Sequence, residues 1–443
     1  MTLTSDSAGG ATPFAPPESG TVVVYRGVTL FDGTGSPPRP ATSIVVDGSL
    51  IRAVMDDVDA AAFRAEGAEV VDLTGHFVTP GLVDAHQHLA TPPDRPAAEA
   101  VLRRLVHSGV TAVRDMADDL RQIGDLARAA RVGEIAAPDI HYAALMAGPG
   151  FFDDPRTHQV TQGAVPGEVP WMQAVTDLTD LPLAVALARG TYAAAIKVYA
   201  DLDAGVVAAI TAEAHRQGIP VWAHAAVFPA TPGEVVAAGV DTVSHVTLLA
   251  HEAATAPLTT YKDKPAVDHA SLVTGEDARL AALFARMREQ GVVLDATAGM
   301  WASEALAGDD PEASERASRN TELAIALTAQ AHRAGVQLAT GTDYETAPGD
   351  PFPALYEELA FLVRRCGIPA PDVLRSATFV GARSAGAEHL TGSVEPGKLA
   401  DFAVFARDPL ADIDHLRTIT LTVKRGHRFP RSAYTTTAPR ENR

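Results

Sequence analysis

FVTPGLVDAHQH, residues 77–88, decides the fold, because it is an apolar run that ends in two histidines and opens a repeating pattern. From there to about residue 390, short apolar runs alternate with alanine-rich segments of helical character. We predict eight strands, at residues 77–88, 110–116, 140–147, 194–200, 221–225, 242–246, 292–298 and 336–343. Eight strands that alternate with helices predict an α/β fold, a closed (β/α)8 TIM barrel over residues 79–390. A doubly wound open sheet is the alternative from the pattern alone, although no GxGxxG motif follows a strand.

The two ends of the chain differ from the middle, because both are rich in β-forming residues. Residues 21–78 contain β-rich runs with Gly-Thr-Gly and Asp-Gly turns between them, and residues 391–430 show the same kind of residue pattern. These segments predict one small β-sandwich composite domain, in which the two ends of the chain meet. Residues 1–20 are small, polar and rich in proline and glycine, which predicts a flexible N-terminal arm rather than a signal peptide.

The composition excludes several classes of partner. The formal net charge of −19 argues against nucleic acid, because phosphate binding needs a basic surface. No stretch stays apolar for the length that a membrane span requires. Cys366 is the single cysteine, so no internal disulfide can form, and we predict a cytoplasmic location. The partner that we expect is therefore a small-molecule substrate.

Ionisable side chains lie at the carboxyl ends of the predicted strands, and they are His86, His88, Lys197, His224, His245 and Asp343. His86 and His88 alternate along one strand, so both point to the same face. In a TIM barrel all of these strand ends open on one mouth, where the side chains would converge. This inventory suits a divalent ion such as Zn²⁺. A His-x-His pair alone is weak evidence, so the prediction depends on the whole set.

Lys197 needs its own explanation, because it lies in the apolar strand AIKVY. An ammonium group is costly to bury and has no lone pair for a metal. Burial lowers the pKa of a lysine, and the neutral amine could react with CO₂ to give a carbamate that bridges two cations. The alternative is a lysine whose charge is neutralised by Asp343 or another strand-end carboxylate. The residues alone leave both interpretations open.

The ordered set of motifs resembles the amidohydrolase superfamily over residues 21–430. The motifs are GVTLFDGTG, IVVDGSLIRAV, VTPGLVDAHQH, GVTAVRDM, AIKVYA, VWAHA, VDTVSHV, ATGTDY and GSVEPGKLADFAVF. The chain resembles most the branch with imidazolonepropionase-like proteins and Xaa-Pro dipeptidases, in which the barrel lysine is typically carboxylated. The resemblance implies a metal-dependent hydrolase that holds two divalent metal ions. Of the divalent metals, Zn²⁺ is the one that we expect.

The resemblance also implies individual ligand roles. His86 and His88 look like ligands of a more buried metal ion. His224 and His245 look like ligands of a more exposed one. Lys197, as an N6-carboxylated side chain, would bridge the two ions.

Asp343 would complete the buried metal site. It would orient a metal-bridging hydroxide, first as general base and then as general acid toward the leaving amine. Tyr199 lies two residues beyond Lys197, on the same strand face, and either hydrogen-bonds the substrate carbonyl or simply packs. The predicted reaction is hydrolysis of an amide-type C–N bond in an N-acyl amino acid, dipeptide or cyclic amide. The alternatives are hydrolysis of a lactone, carbamate or phosphotriester by the same site, and a mononuclear ring deaminase, against which Lys197 counts.

Two loops on the predicted catalytic face have open roles. Residues 250–275 show no clear periodicity and form either a lid or specificity element or an incidental insertion. Arg156 and His158 follow the third strand and could receive a substrate carboxylate.

Asp295, near the end of the seventh strand, either lines the pocket or makes a structural hydrogen bond. Relatives of the resembled branch are often oligomers, which leaves a homo-oligomer open.

Overall fold

The computed structural model describes residues 20–60, 67–275, 277–307 and 310–436. The predicted N-terminal arm, residues 1–20, lies outside these ranges except for Gly20. The described strands are β1 (Val22–Leu30), β2 (Arg39–Asp47), β3 (Leu50–Asp56), β4 (Glu69–Asp72), β5 (Phe77–Pro80), β6 (Leu82–Gln87), β7 (Val110–Asp115), β8 (Asp139–Ala147), β9 (Glu168–Val169), β10 (Met172–Ala174), β11 (Ala195–Val198), β12 (Val221–His224), β13 (Thr242–Ser244), β14 (Val293–Asp295), β15 (Leu338–Ala339), β16 (Phe402–Phe405), β17 (Ile419–Lys424) and β18 (His427–Pro430).

Helices follow most of the central strands. They are α1 (Arg95–Val106), α2 (Leu120–Arg131), α3 (Pro155–Thr161), α4 (Leu181–Gly190), α5 (Ala204–Arg216), α6 (Pro232–Ala237), α7 (His269–Leu272), α8 (Ala278–Gln290), α9 (Met300–Ala307), α10 (Pro311–Arg333), α11 (Ala354–Arg364), α12 (Ala370–Ser376) and α13 (Phe379–Ser384). Aspartates begin many of them: the Asp203 carboxylate, for example, accepts the backbone N–H of Val206 at the start of α5. Such N-caps satisfy the first free N–H groups of a helix and account for part of the acidic composition.

The central strands form a closed parallel barrel. β6, β7, β8, β11, β12, β13, β14 and β15 pair in this order, all parallel. The ring closes between its last and first strands, where Ala85 N–H donates to Thr340 O at 2.9 Å and Asp343 N–H donates to His86 O at 3.0 Å. The predicted (β/α)8 TIM barrel is thus confirmed, and the open doubly wound sheet is excluded. The carboxyl ends of all eight strands face one mouth.

The two ends of the chain form a second, mostly antiparallel sheet. Its main path runs β18-β17-β16-β5-β1-β2-β3, and β4 pairs with β1. The sheet joins the ends through β5 and β16, which pair antiparallel from Phe402–Pro80 to Phe405–Phe77. Its core packs residues from both ends, such as Tyr25 and Phe402, whose rings meet edge to face at 5.0 Å. The prediction of a β domain from both chain ends is confirmed.

The first predicted strand, 77–88, is two strands. Phe77–Pro80 belongs to the sheet of the chain ends, whereas Leu82–Gln87 opens the barrel. Gly81 separates them at a close approach, because a Cβ atom there would lie 2.0 Å from Thr111 Oγ1. The run FVTPGLVDAHQH reads as one strand only because both halves are buried and apolar.

A buried ion cluster ties the barrel to the small sheet. Asp139 starts β8, and its carboxylate lies 2.7 Å from Lys424 Nζ and 2.6 Å from Arg425 Nη2. Burial raises the pKa of Asp139, but Lys424 and Arg425 outweigh it, so this pKa lies below its usual range. The charges of this cluster compensate one another. In the described part of the chain, no helix is both long and apolar enough to cross a membrane.

Candidate metal centre

The predicted ligands all reach the same mouth of the barrel. His86 lies in β6, Lys197 in β11, and His224 ends β12. His88 and His245 directly follow β6 and β13, and Asp343 lies four residues beyond the end of β15. His245 and Asp343 both have positive φ, of 72° and 59°, which turns the chain sharply at the strand ends. Such conformations are uncommon outside glycine and often occur at functional sites.

His86 is held by a carboxylate behind it. Its Nδ1 lies 2.7 Å from Asp295 Oδ2, and both side chains are buried. Its other nitrogen, Nε2, faces the mouth, 3.7 Å from Asp343 Oδ1. A carboxylate on one ring nitrogen fixes the ring and leaves the other nitrogen free for a metal. Asp295 therefore makes the structural hydrogen bond that was one of its two predicted roles.

His88 repeats this arrangement with a different carboxylate. Its Nδ1 lies 2.8 Å from Asp118 Oδ1, and its Nε2 lies 3.5 Å from Asp343 Oδ1. Asp118 is itself fixed, because it also accepts the Ala90 backbone N–H at 2.6 Å and the Thr91 hydroxyl at 2.6 Å. Two separate carboxylates thus aim the two histidines of the first strand at one aspartate.

The remaining histidines complete the ring of donors. His245 Nδ1 lies 3.7 Å from Asp343 Oδ2, and the rings of His224 and His245 are 4.8 Å apart. One ligand atom each from His86, His245 and Asp343 all lie within 4.8 Å of one another. This tightest grouping takes one histidine from each of the two predicted ligand pairs. His224 Nδ1 is buried and has no hydrogen-bond partner among the described residues.

Three of the four histidines have protonation states that suit a cation. Burial, and then the charge of Lys197 or of neighbouring histidines, lowers the pKa of His86, His224 and His245 well below the usual range. Neutral imidazole is the form that binds a metal. Burial also disfavours the charged form of His88, but Asp118 and Asp343 outweigh it and raise the pKa of His88 to about 9. Burial raises the pKa of Asp343 to about 6, although His88 and Lys197 oppose this. The orphaned nitrogen of His224 and the carboxylate-backed histidines fit a divalent ion of the zinc type.

Lys197 lies in β11, which pairs with the strand that carries His224. Its side chain is buried, and its Nζ has Ser244 Oγ as hydrogen-bond partner at 3.5 Å, while Ser244 Oγ donates to Asp295 Oδ2 at 3.0 Å. Burial lowers the pKa of Lys197 to about 7, and the charges of Asp295 and Asp343 only partly oppose it. No carboxylate among the described residues forms an ion pair with this amine within 4.0 Å. The geometry thus gives no support to a lysine neutralised by a direct salt bridge.

Tyr199 lies beside the candidate ligand His224, as its position on the strand predicts. Its ring is 3.9 Å from that of His224 and 4.5 Å from that of Phe151, measured between centroids. Burial raises the pKa of Tyr199, and a hydrogen bond shared with Tyr261 raises it further. The phenol is therefore protonated near neutral pH and can donate a hydrogen bond.

The two loops left open by the sequence differ in what they contribute. Tyr261, from the 250–275 segment, reaches the site, with its ring 5.7 Å from His224 and 5.6 Å from Tyr199. This position favours a specificity element over an incidental insertion. Arg156 Nη2 lies 2.7 Å from Asp154 Oδ2, and its charge also acts on Tyr199, whose pKa it lowers in opposition to burial. His158 lies on an exposed face of α3.

Sequence reasoning missed Asp118 and Tyr261, which lie beside the candidate ligands, and Lys264, whose Nζ lies 3.8 Å from the centroid of the Tyr261 ring. Asp118 could have been suspected, because MADD directly follows the second strand. Tyr261 and Lys264 carried no signal, since they lie in an aperiodic loop far from any strand end. Arg114 supports the site through Asp295, whose Oδ2 lies 3.4 Å from Arg114 Nη2.

Comparison with known proteins gives consistent matches. The model of the amidohydrolase family matches residues 77–428. Adenine deaminase 2 of Agrobacterium fabrum is 35% identical over 91 residues, which are 20% of this chain and 14% of the relative. Imidazolonepropionase of an Anaeromyxobacter species is 43% identical over 65 residues, 14% of this chain and 15% of the relative. The matches thus span only about a seventh of each of these relatives.

A solved structure extends the likeness to the whole fold. The crystal structure of a Xaa-Pro dipeptidase with methionine bound in its active site is similar with a TM-score of 0.70. It covers 92% of this chain and 100% of that chain, at 22% sequence identity. At this identity the likeness concerns the fold.

Proposed function

This chain belongs to the amidohydrolase family, a family of hydrolases, and we propose from that premise that it cleaves an amide-type C–N bond with two divalent metal ions. The observation that carries the proposal is the convergence of His86, His245 and Asp343, whose ligand atoms lie within 4.8 Å of one another. His88, His224 and Lys197 are the other ligands in this proposal. The substrate class is an N-acyl amino acid, dipeptide or cyclic amide, and zinc is the metal that the ligand set favours.

The ligands divide into two sets in this proposal. His86, His88 and Asp343 would hold one ion, and His224 and His245 the other, with Lys197 between them. When bound, the two ions would lower the pKa of water and polarise the substrate carbonyl. Asp118 and Asp295 orient His88 and His86 from behind, so the ligand geometry is set before an ion binds.

Lys197 would bridge the ions as a carbamate. Its pKa of about 7 leaves a large neutral fraction near neutral pH. The neutral amine attacks CO₂, a new N–C bond forms, and one proton leaves, so that Lys–NH₂ and CO₂ give Lys–NH–COO⁻ and H⁺. The product is an anion with two oxygens, which matches a position between two cations. The lack of a direct ion pair for this amine among the described residues supports the proposal.

Asp343 carries the proton in the reaction that we propose. Its carboxylate faces the ring nitrogens of three histidines at 3.5 to 3.7 Å, at the point where a water molecule would attack. A pKa of about 6 allows it to accept a proton from that water and pass it to the leaving amine. The Tyr199 hydroxyl, protonated and beside His224, can donate to the substrate carbonyl oxygen.

Metal stoichiometry tests the proposal most directly. Elemental analysis of protein that is purified without chelator and with bicarbonate present should give about two divalent ions per chain. Mass spectrometry under native conditions should then show an added mass of CO₂ on Lys197. One tightly held ion without that mass would favour a mononuclear ring deaminase. Lactones, carbamates and phosphotriesters, assayed beside N-acyl amino acids and dipeptides, would show whether the bond cleaved is a C–N bond.

Asp343→Asn separates proton transfer from metal binding. We expect kcat to fall by about 10²- to 10⁴-fold, because a positioned acid–base group contributes on that order. Metal content should change little, since five of the six ligands are unaffected. Full activity of this variant with its metal retained would remove Asp343 from the mechanism. Asp177→Asn, at an exposed aspartate, is the matched control and should behave as the wild type.

A further inference from the structure

The loop that covers one side of the mouth is anchored to the barrel. We call residues 254–268 the mouth loop; it lies between the 3-10 helix Val246–Ala253 and α7. The backbone N–H of Tyr261 donates to Asp201 Oδ1 at 2.8 Å, just beyond the end of β11. Leu258 is buried against Ala226 and Phe228 behind it. The loop therefore has a defined position beside the metal ligands.

Tyr261 of the mouth loop completes an aromatic wall. Its ring lies 5.6 Å from Tyr199, 6.0 Å from Phe228 and 6.4 Å from Phe151. The wall ends at His224, 5.7 Å from Tyr261. A substrate whose carbonyl is bound near His224 would place its neighbouring group against these rings. Aromatic pairs at such separations attract one another beyond the effect of burial alone.

Lys264 places a cation at the rim of this wall. Its Nζ lies 3.8 Å from the centroid of the Tyr261 ring, and it has no ion-pair partner within 4.0 Å among the described residues. The two neighbouring cations are already engaged. Arg156 binds Asp154 with two nitrogens, and Lys262 Nζ lies 3.9 Å from Asp153 Oδ2. Lys264 is therefore the cation at this rim with a free charge for a ligand.

We propose that Tyr261 and Lys264 make this enzyme select substrates that carry a carboxylate next to an aromatic group. The inference rests on the proposed amide hydrolysis and narrows its substrate class to N-acyl or peptide-type amides of an aromatic amino acid. The aromatic group packs on the wall of Phe151, Tyr199 and Tyr261. The carboxylate pairs with Lys264, which the Tyr261 ring holds in place.

The charge of the whole protein sharpens this selection. With a formal net charge of −19, most of the surface repels an anion. Away from the metal ions, a carboxylate is attracted where a local cation is free, and Lys264 provides one beside the site. An uncharged analogue of the same shape would gain the aromatic contact but not the ion pair.

The binding affinities of two small probes test the inference without requiring turnover. Isothermal titration calorimetry of the metal-loaded protein compares 3-phenylpropanoate with 3-phenylpropanamide, which differ in charge and share the ring. We expect the carboxylate to bind more tightly, and Lys264→Met to weaken it by roughly fivefold while leaving the amide unchanged. Tyr261→Ala should weaken both probes, by about tenfold. Lys262→Met, on the same loop, is the matched control and should change neither.

The outcomes separate this inference from the proposed function. Equal affinity for the two probes, or an unchanged affinity of Lys264→Met for 3-phenylpropanoate, would overturn the inference even if amides are hydrolysed. Charge-selective binding that depends on Lys264, with no hydrolysis of any amide, would support the inference and overturn the proposed reaction. Where hydrolysis occurs, Lys264→Met should raise KM for N-acetylphenylalanine and leave kcat nearly unchanged.

Discussion

Two buried lysines, Lys197 at the mouth of the barrel and Lys424 at its junction with the small sheet, have opposite surroundings. Both are at most 2% exposed. Lys424 Nζ lies 2.7 Å from the carboxylate of Asp139, whereas Lys197 Nζ has a hydroxyl at 3.5 Å as its hydrogen-bond partner. Removing one partner of a buried ion pair destabilises the fold, and a buried charge that has no partner is costly unless it is neutral or modified. Burial alone therefore does not distinguish the two lysines. They differ in whether the buried amine has a carboxylate partner.

Lys197→Met should produce the largest effect on activity. We expect a loss of roughly 1000-fold or more together with loss of metal, because even outer-shell changes at metal sites cost about 10- to 100-fold. The metal-free variant should be at least as stable as the metal-free wild type, since methionine has similar size and no charge to desolvate. Activity assays, metal analysis and urea unfolding measure the three effects. A marked loss of stability in the metal-free variant would mean that Lys197 has a structural partner after all.

Lys424→Met should have the opposite profile. We expect the free energy of unfolding to fall by about 2 to 3 kcal/mol, because breaking a buried ion pair leaves its carboxylate partly uncompensated. Arg425 keeps the loss from being larger, since it also binds Asp139. Metal content and kcat, measured well below the unfolding temperature, should stay near the wild-type values. A loss of bound metal without a loss of stability would contradict this contrast.

Acid should weaken the junction in a smaller and graded way. The pKa of Asp139 is lowered in the folded protein, so its contribution to stability is present above about pH 4 and is lost as the pH falls through the folded pKa. The stability difference between the wild type and Asp139→Asn should therefore shrink as the pH is lowered from 7 to 3. Urea unfolding across this range measures it, with Asp177→Asn as control. A difference that is independent of pH would refute the ion cluster.

Sequence pattern was sufficient for the barrel because most of its strands are short apolar runs followed by a helix. It failed at residues 77–88, where two buried strands of different sheets follow each other without a polar break. The six candidate ligands could be found because they lie at or near strand ends, where topology alone brings them together. Asp118 and Tyr261 depend on how loops fold back over the mouth, and no local periodicity encodes that.

The pairing of β5 with β16 has a consequence for synthesis on the ribosome. Strand Phe77–Pro80 borders the barrel directly, yet its neighbour in the sheet, Phe402–Phe405, is translated more than 300 residues later. Until then the edge of β5 is an open row of N–H and C=O groups that another chain could pair with. We expect chains truncated before residue 402 to aggregate or to recruit chaperones during translation, which sedimentation of ribosome-bound chains would measure. The edge of β5 is thus protected from pairing with another chain only after β16 has been synthesised.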